Sequence, residues 1–354
     1  MKRSCKTNLS LFLILALSMS LCACAADSSA INKSASQNDS YSDSSRSSDT
    51  SASGSQADTV SDTSASGAQT DTVSGTAASP VPTDAPVKTP RPTPVIDTVT
   101  LSCAGDCTIG TDPAFNYSTS LNAMVERVKD KAYFFKNVQK YFANDDMTIV
   151  NFEGTLTNRT TRAIKTFTFK GPPSYIGIIK KGNIEAVAFA NNHCRDFGEG
   201  SYYDTIDVFK KKDVKYSSYS KTGIYKVIKE DTNTKIKIGM ISVNGLESYS
   251  AAISQIKSGV QKLRKKKCQI VIMSMHAGTE RVYTPTSTQR ELAHYAVSQG
   301  CDLVLGHHPH VLHGVEKYKG VYIVYSLGNF CFGGNSNPSD KDTMIARPEF
   351  TFKN

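Results

Sequence analysis

The chain has 354 residues, 39% of them hydrophobic and 21% charged, with a formal net charge of +9. That is too apolar for disorder throughout and long enough for one large domain or two small ones. The average hides a split. Residues 1–24 carry three positive charges and no acid, residues 25–96 are net −4, and residues 97–354 hold +10. Only the last stretch has the apolar content to bury a core, and all seven histidines fall within it. Its positive surplus suits phosphorylated molecules, polyacids or an anionic surface.

Residues 1–24 read as an export signal: a basic start, an apolar run from Leu9 to Leu21, then small residues. The run is shorter than the roughly 20 residues a membrane span needs. Leu21-Cys22-Ala23-Cys24 has the form of a bacterial lipobox. Cys24 is the expected lipidation site, because Cys22 would place the bulky Leu21 just before the cut. The chain is therefore expected at the cell membrane, lipid-anchored and facing outward; an ordinary cleaved signal and a secreted protein is the alternative. Acyl chains contribute about 0.8 kcal/mol per buried CH₂, so two or three hold a protein stably.

Residues 25–96 are dominated by Ser, Thr, Ala, Asp and Gly and include a 13-residue repeat, Ser48–Val60 and Ser61–Val73, identical at 11 positions. Such polar low-complexity sequence cannot offset the entropy of ordering. Residues 80–94 turn Pro-rich, a stiffer spacer. The segment is expected to be a disordered tether for the body at 97–354.

In the body, short β-branched runs alternate with amphipathic stretches, an α/β pattern. Strands are expected at Val99–Cys103, Met147–Asn151, Glu185–Ala190, Lys237–Val243, Gln269–Met275, Asp302–Leu305 and Val321–Tyr325. Helices are expected at Leu121–Phe142, Tyr202–Lys212, Ala251–Lys267 and Gln289–Ser298. Ligand-type residues follow strand after strand: Asp106; Glu153; Asn192, His193 and Asp196; His276 and Glu280; the run His307-His308-Pro309-His310; and Asn329. In α/β sheets the carboxyl ends of the strands are where sites are built. Carboxylate, amide oxygen and imidazole together form a mixed donor set that suits divalent Mn, Fe or Zn. Three histidines within four residues are hard to explain as packing. A carboxylate can bridge two ions about 3.5–4 Å apart, giving a clamp for displacement at phosphorus. The six cysteines of the body include no Cys-x-x-Cys pair, and several look like small core residues.

The wording of AFANNHCRDFG (188–198, read from Ala188) and of DLVLGHHPHVLHGVEKYKGVYIVYSLGNF (302–330) resembles the bacterial capsule-synthesis CapA family, linked to poly-γ-glutamate capsules. That family lies within the calcineurin-like metallophosphoesterase superfamily, and the resemblance runs from about Thr98 to the end of the sequence. It implies a layered sheet core flanked by helices, with site loops at the carboxyl ends of the strands. It also implies two divalent metal ions. Asp106 and His310 would serve the first, Glu153 would bridge, and Asn192, His276 and His308 would serve the second. His193 would act beside a phosphoryl-like group as general acid or electrostatic stabiliser, oriented by Asp196. Lys170, Glu280, Arg281 and Asn329 are expected to line the substrate site. The chain departs from the superfamily's Asp-x-His, having Asp106-Cys107-Thr108, and has Ala277 where the family carries Trp. Members often continue beyond the strand Glu349–Phe352, which leaves room for further chain.

Two functions fit these expectations. One is a metal-dependent hydrolase or transfer enzyme acting on a phosphoester or a γ-glutamyl polymer. The other is a non-catalytic factor that binds an anionic polymer or organises a capsule synthase in the membrane. Nucleic acid is not an expected partner.

Overall fold

The structure, a computed structural model, describes residues 6–12 and 96–353. Cys24 and residues 25–95 of the expected tether (25–96) lie outside the described residues, and Ile96 already opens a strand. The first half of the chain supplies β1 (Lys6–Phe12), β2 (Ile96–Thr108), β3 (Met147–Phe152), β4 (Ala186–Phe189) and β5 (Lys215–Ser218). The second half supplies β6 (Gly223–Lys229), β7 (Thr234–Asn244), β8 (Ile270–His276), β9 (Leu303–His307), β10 (Val315–Tyr318) and β11 (Val321–Val324). The chain then returns to the first half with β12 (Asn329–Phe332) and β13 (Ile345–Lys353).

Among the described residues these strands form two main sheets. The first has the order β1-β13-β2-β3-β4-β5, with β12 also paired to β2; the second has the order β10-β11-β9-β8-β7-β6. Strands β2 to β5 run parallel, as do β7, β8, β9 and β11. Antiparallel β13 closes one side of β2. The outer edge of β13 offers unpaired backbone groups, and the extended β1 takes them up.

Alternation along the strands explains the layers. Val99, Leu101 and Cys103 of β2 join Ile236, Ile238 and Met240 of β7, and Leu303 and Leu305 of β9, in one buried core between the sheets. The opposite face of the first sheet, including Val150, packs on Phe135, Ile178, Tyr202 and Phe209. The opposite face of the second packs Val243, Met273 and Val304 on Ile256, Val260, Leu263 and Leu292. The last four lie on helices α5 (Tyr249–Lys265) and α6 (Ser287–Gln299), following α1 (Leu121–Val128), α2 (Gln139–Phe142), α3 (Ile176–Lys181) and α4 (Glu199–Lys211). The result is a helix–sheet–sheet–helix sandwich, a metallophosphoesterase-like core.

Three features differ from the sequence expectations. The single helix expected over Leu121–Phe142 is three pieces. Lys129 turns left-handed (φ 53°) at the end of α1, and Asp130 then caps a separate 3-10 turn over Lys131–Phe135. β2 runs five residues beyond Cys103, so Asp106 lies within a strand rather than after it. Strands β5, β6, β10 and β12 and helix α3 were not expected at all. Among the described residues, no helix is long and apolar enough to cross a membrane.

Candidate metal centre

The site begins with a break in register. β2 pairs evenly with β3 up to Cys103, then shifts before Asp106 meets Asn151. Such a bulge re-aims side chains at a sheet rim. Gly105 sits so close to the neighbouring chain that a Cβ there would lie 1.9 Å from the Gly328 carbonyl oxygen, and the Asp106 amide donates to that same oxygen at 2.9 Å. The Asp106 carboxylate is thereby fixed in a fully buried position.

Asn151 is the hub beside it. Its Nδ2 donates to Asp106 Oδ1 at 2.8 Å and lies 3.4 Å from Glu153 Oε2 and 3.3 Å from His276 Nδ1. Its Oδ1 accepts from Asn191 Nδ2 at 3.1 Å, and Asn191 also holds the Phe152 carbonyl. On the far side of the ring, His276 Nε2 faces Asn192 Oδ1 at 2.9 Å. Neighbouring donor atoms around an ion with ligands at about 2.1 Å stand roughly that far apart.

The His308–His310 turn closes the other side. Both residues have positive φ, 97° and 58°, which non-glycine residues adopt only when the surroundings hold them there. The His308 amide donates to Asp106 Oδ2 at 3.2 Å. His310 Nδ1 lies 3.2 Å from the same oxygen and 2.9 Å from Asn329 Oδ1, while its Nε2 lies 3.8 Å from Glu153 Oε1. Donor atoms of Asp106, Glu153 and His276 fall within 4.8 Å of one another, and so do those of Glu280, His308 and His310.

A second network flanks this cluster. His193 Nδ1 meets Asp196 Oδ2 at 2.7 Å, which leaves Nε2 directed towards Glu153 Oε1 at 3.7 Å. Asp196 also accepts from the Phe169 amide at 2.6 Å and from Lys165 Nζ at 2.9 Å. Lys165 further donates to the Asn192 carbonyl at 2.8 Å. The His193 ring lies against Phe169, with centroids 4.4 Å apart.

These residues suit a divalent cation. Glu153 Oε1, His308 Nδ1 and His307 Nε2 are buried and find no hydrogen-bond partner among the described residues, and groups like these are costly to leave so; His307 Nδ1 lies 3.3 Å from Asp106 Oδ1. The electrostatics agree. Burial and then the Asp106 charge push the Glu153 carboxyl well above its ordinary range. Burial pushes Asp106 the same way, but His307 and His310 override it and hold Asp106 well below the usual carboxylate value. Burial opposes a charge on His310, yet Glu153 and Asp106 lift it to about 9. Burial, then His310, takes His308 down to about 4, and burial and then His308 take His276 well below the ordinary histidine value. Burial also lowers His193, against the pull of Asp196. His276, His308 and His193 are thus held neutral, the form in which imidazole binds metal, whereas His310 and Glu153 would each give up a proton to a bound cation.

Of the residues singled out in the sequence, Asp106, Glu153, Asn192, His193, Asp196, His276, His308 and His310 are thus gathered on one rim. Asn329 is there too, but it holds the His310 ring rather than facing open space. Glu280 joins His308 and His310 as a candidate donor. Lys170 points elsewhere: its ammonium donates to the Arg159 carbonyl at 2.6 Å and lies over the Phe197 ring. Arg281 is exposed, and its amide ties the Glu280 loop to the Pro309 carbonyl at 2.8 Å. Sequence reasoning places Asn151 and Asn191 in the motifs at two strand ends but gives them no role of their own. It does not single out Lys165, which nothing local marks.

A family profile described as bacterial capsule synthesis protein PGA_cap matches residues 100–334. The PGA biosynthesis protein CapA of Bacillus subtilis (strain 168) is 30% identical over 213 residues, covering 56% of each chain. The capsule biosynthesis protein CapA of Bacillus anthracis is 28% identical over 225 residues, covering 56% of this chain and 54% of its own. The chain thus spans about half the length of these curated relatives.

Proposed function

The chain belongs to the bacterial capsule synthesis protein family PGA_cap, and from that premise we propose that it serves capsule biosynthesis through a metal centre that handles an anionic polymer or phosphoester. In this reading residues 1–23, β1 among them, are cleaved from the exported protein, Cys24 anchors it outside the cell membrane, the tether carries the body, and capsule synthase membrane proteins are its neighbours. The centre takes two divalent ions of the Mn, Fe or Zn type. The observation that carries the reading is the convergence of Asp106, Glu153, Asn192, His276, His308 and His310 from separate strand ends onto one buried rim.

Bound divalent cations supply Lewis-acid polarisation of a phosphoryl or carboxyl oxygen. The protein's own part is positional. Asn151 spaces Asp106 from Glu153, and Asn329 sets the His310 ring. Asp196 holds the His193 proton on Nδ1, so that Nε2 presents a lone pair beside Glu153, where it exchanges a proton with a reacting oxygen. The test is metal analysis of the purified protein together with phosphomonoester, phosphodiester and poly-γ-glutamate assays. About two ions per chain and metal-dependent turnover of one substrate are expected. Two ions without turnover, but with metal-dependent polymer binding, would instead support the assembly-factor role; absence of bound metal would end both.

A further inference from the structure

We propose that Glu280 is a metal ligand of this chain, forming with His308 and His310 an outer cation position next to an inner one on Asp106, Glu153 and His276. The inference rests on the metal-centre reading above and changes its ligand set.

The geometry points to Glu280 in three ways. A carboxylate oxygen of Glu280 and ring nitrogens of His308 and His310 lie within 4.8 Å of one another, a separation that small side-chain adjustments close to a coordination sphere. The Glu280 carboxylate makes no hydrogen bond or ion pair among the described residues, although it stands beside two histidines. His308 Nδ1 is buried and likewise without a partner there. An exposed acid without a partner thus stands beside a buried imidazole that lacks one on a ring nitrogen.

The backbone supports the same conclusion. The loop bearing Glu280 is bound to the histidine turn at two points: the Arg281 amide donates to Pro309 O at 2.8 Å, and His313 Nε2 lies 2.6 Å from Val282 O. Arg281, His308 and His310 all adopt positive φ. These two ties hold the Glu280 loop against the histidine turn. One carboxylate and two imidazoles are a donor set suited to Zn, Mn or Fe.

The test uses the full chain, stripped with a chelator and brought to equilibrium with Zn²⁺, with bound zinc counted by mass spectrometry. The wild type is expected to hold two ions. Glu280→Gln is expected to keep the inner ion and bind the outer one about 100-fold more weakly, the upper end of what loss of a supporting metal-site group costs. Glu280→Asp should recover part of that loss, and melting in chelator should be unchanged because the side chain is exposed. Glu280→Gln retaining both ions at wild-type affinity, while the wild type holds two, overturns the Glu280 assignment alone. A wild type that binds no zinc overturns the metal-centre reading and this inference with it.

Discussion

Lys165 shows at single-residue scale how the site is held. Its ammonium reaches Asp196 Oδ1 and the Asn192 carbonyl, so one cation on the loop after β3 steadies both a proposed ligand segment and the acid behind His193. Asp196 is fully buried, and a buried carboxylate deprived of a charged partner is costly. Lys165→Met should therefore destabilise the fold by about 1.5–3 kcal/mol, the usual worth of a hydrogen bond to a charged group. Urea unfolding measures this; an unchanged midpoint would mean that the ammonium contributes nothing there.

A second residue, away from the site, carries a pH signature. Glu185 accepts from the Thr148 amide at 2.8 Å, and Thr148 in turn donates to Asp145 at 2.8 Å. Burial raises Glu185 from 4.5 to about 7, and burial also raises Asp145 from 3.8 to about 6. The folded state thus binds these protons more tightly than the unfolded chain. Stability is highest below the unfolded values and falls as pH rises through the folded ones. Glu185→Gln keeps an acceptor for Thr148 and removes the titration. Its melting temperature should exceed that of the wild type at pH 8, with the gap closing towards pH 5. A gap independent of pH would locate the effect elsewhere.

At the scale of elements, the joints decide more than the strands. Gly105 lets β2 approach the Gly328 segment, and Gly306 has the Tyr325 carbonyl where a Cβ would lie 2.0 Å away. Gly105→Ala pushes a methyl into backbone that cannot yield cheaply and displaces the Asp106 amide from its acceptor. A loss of about 2–3 kcal/mol is expected from overpacking of this kind, together with weaker metal binding; calorimetry and zinc titration of the same sample check both. These joints also explain what could be read beforehand. Strands such as Ile270–His276 were legible because they are short apolar runs ending in ligand-type residues. The break at Lys129-Asp130 was not, because no glycine or proline marks it. The edge strands Lys215–Ser218, short and largely polar, and Gly223–Lys229, interrupted by lysine, alternate too weakly to stand out. The sandwich itself depends on β13 returning to β2, a pairing of residues more than 240 positions apart that no local pattern specifies. At the site, the donor residues announced themselves by type and place, whereas Lys165 and Asn191 act only through contacts made after folding.

At the scale of the whole molecule, the +10 of residues 97–354 bears on what approaches the rim. Some of the cations are held by neighbouring acids and so add nothing to this surplus: Arg159 by Asp204, Arg162 by Asp112, Lys229 by Asp146 and Arg264 by Asp302. Lys170 is likewise turned onto a carbonyl. Arg281 differs, being exposed beside Glu280 at the mouth of the centre. Attraction of a polyanion then has a long-range part from the net charge and a local part from Arg281. The long-range part is screened as the Debye length shrinks from about 10 Å at 0.1 M salt to about 3 Å at 1 M. Poly-γ-glutamate binding, followed by fluorescence anisotropy, should therefore weaken steeply over that range. Arg281→Ala should weaken it further at low salt, and Lys170→Ala should change it little. Binding indifferent to salt, or a preference for neutral glycans, would mean that recognition rests on something other than charge.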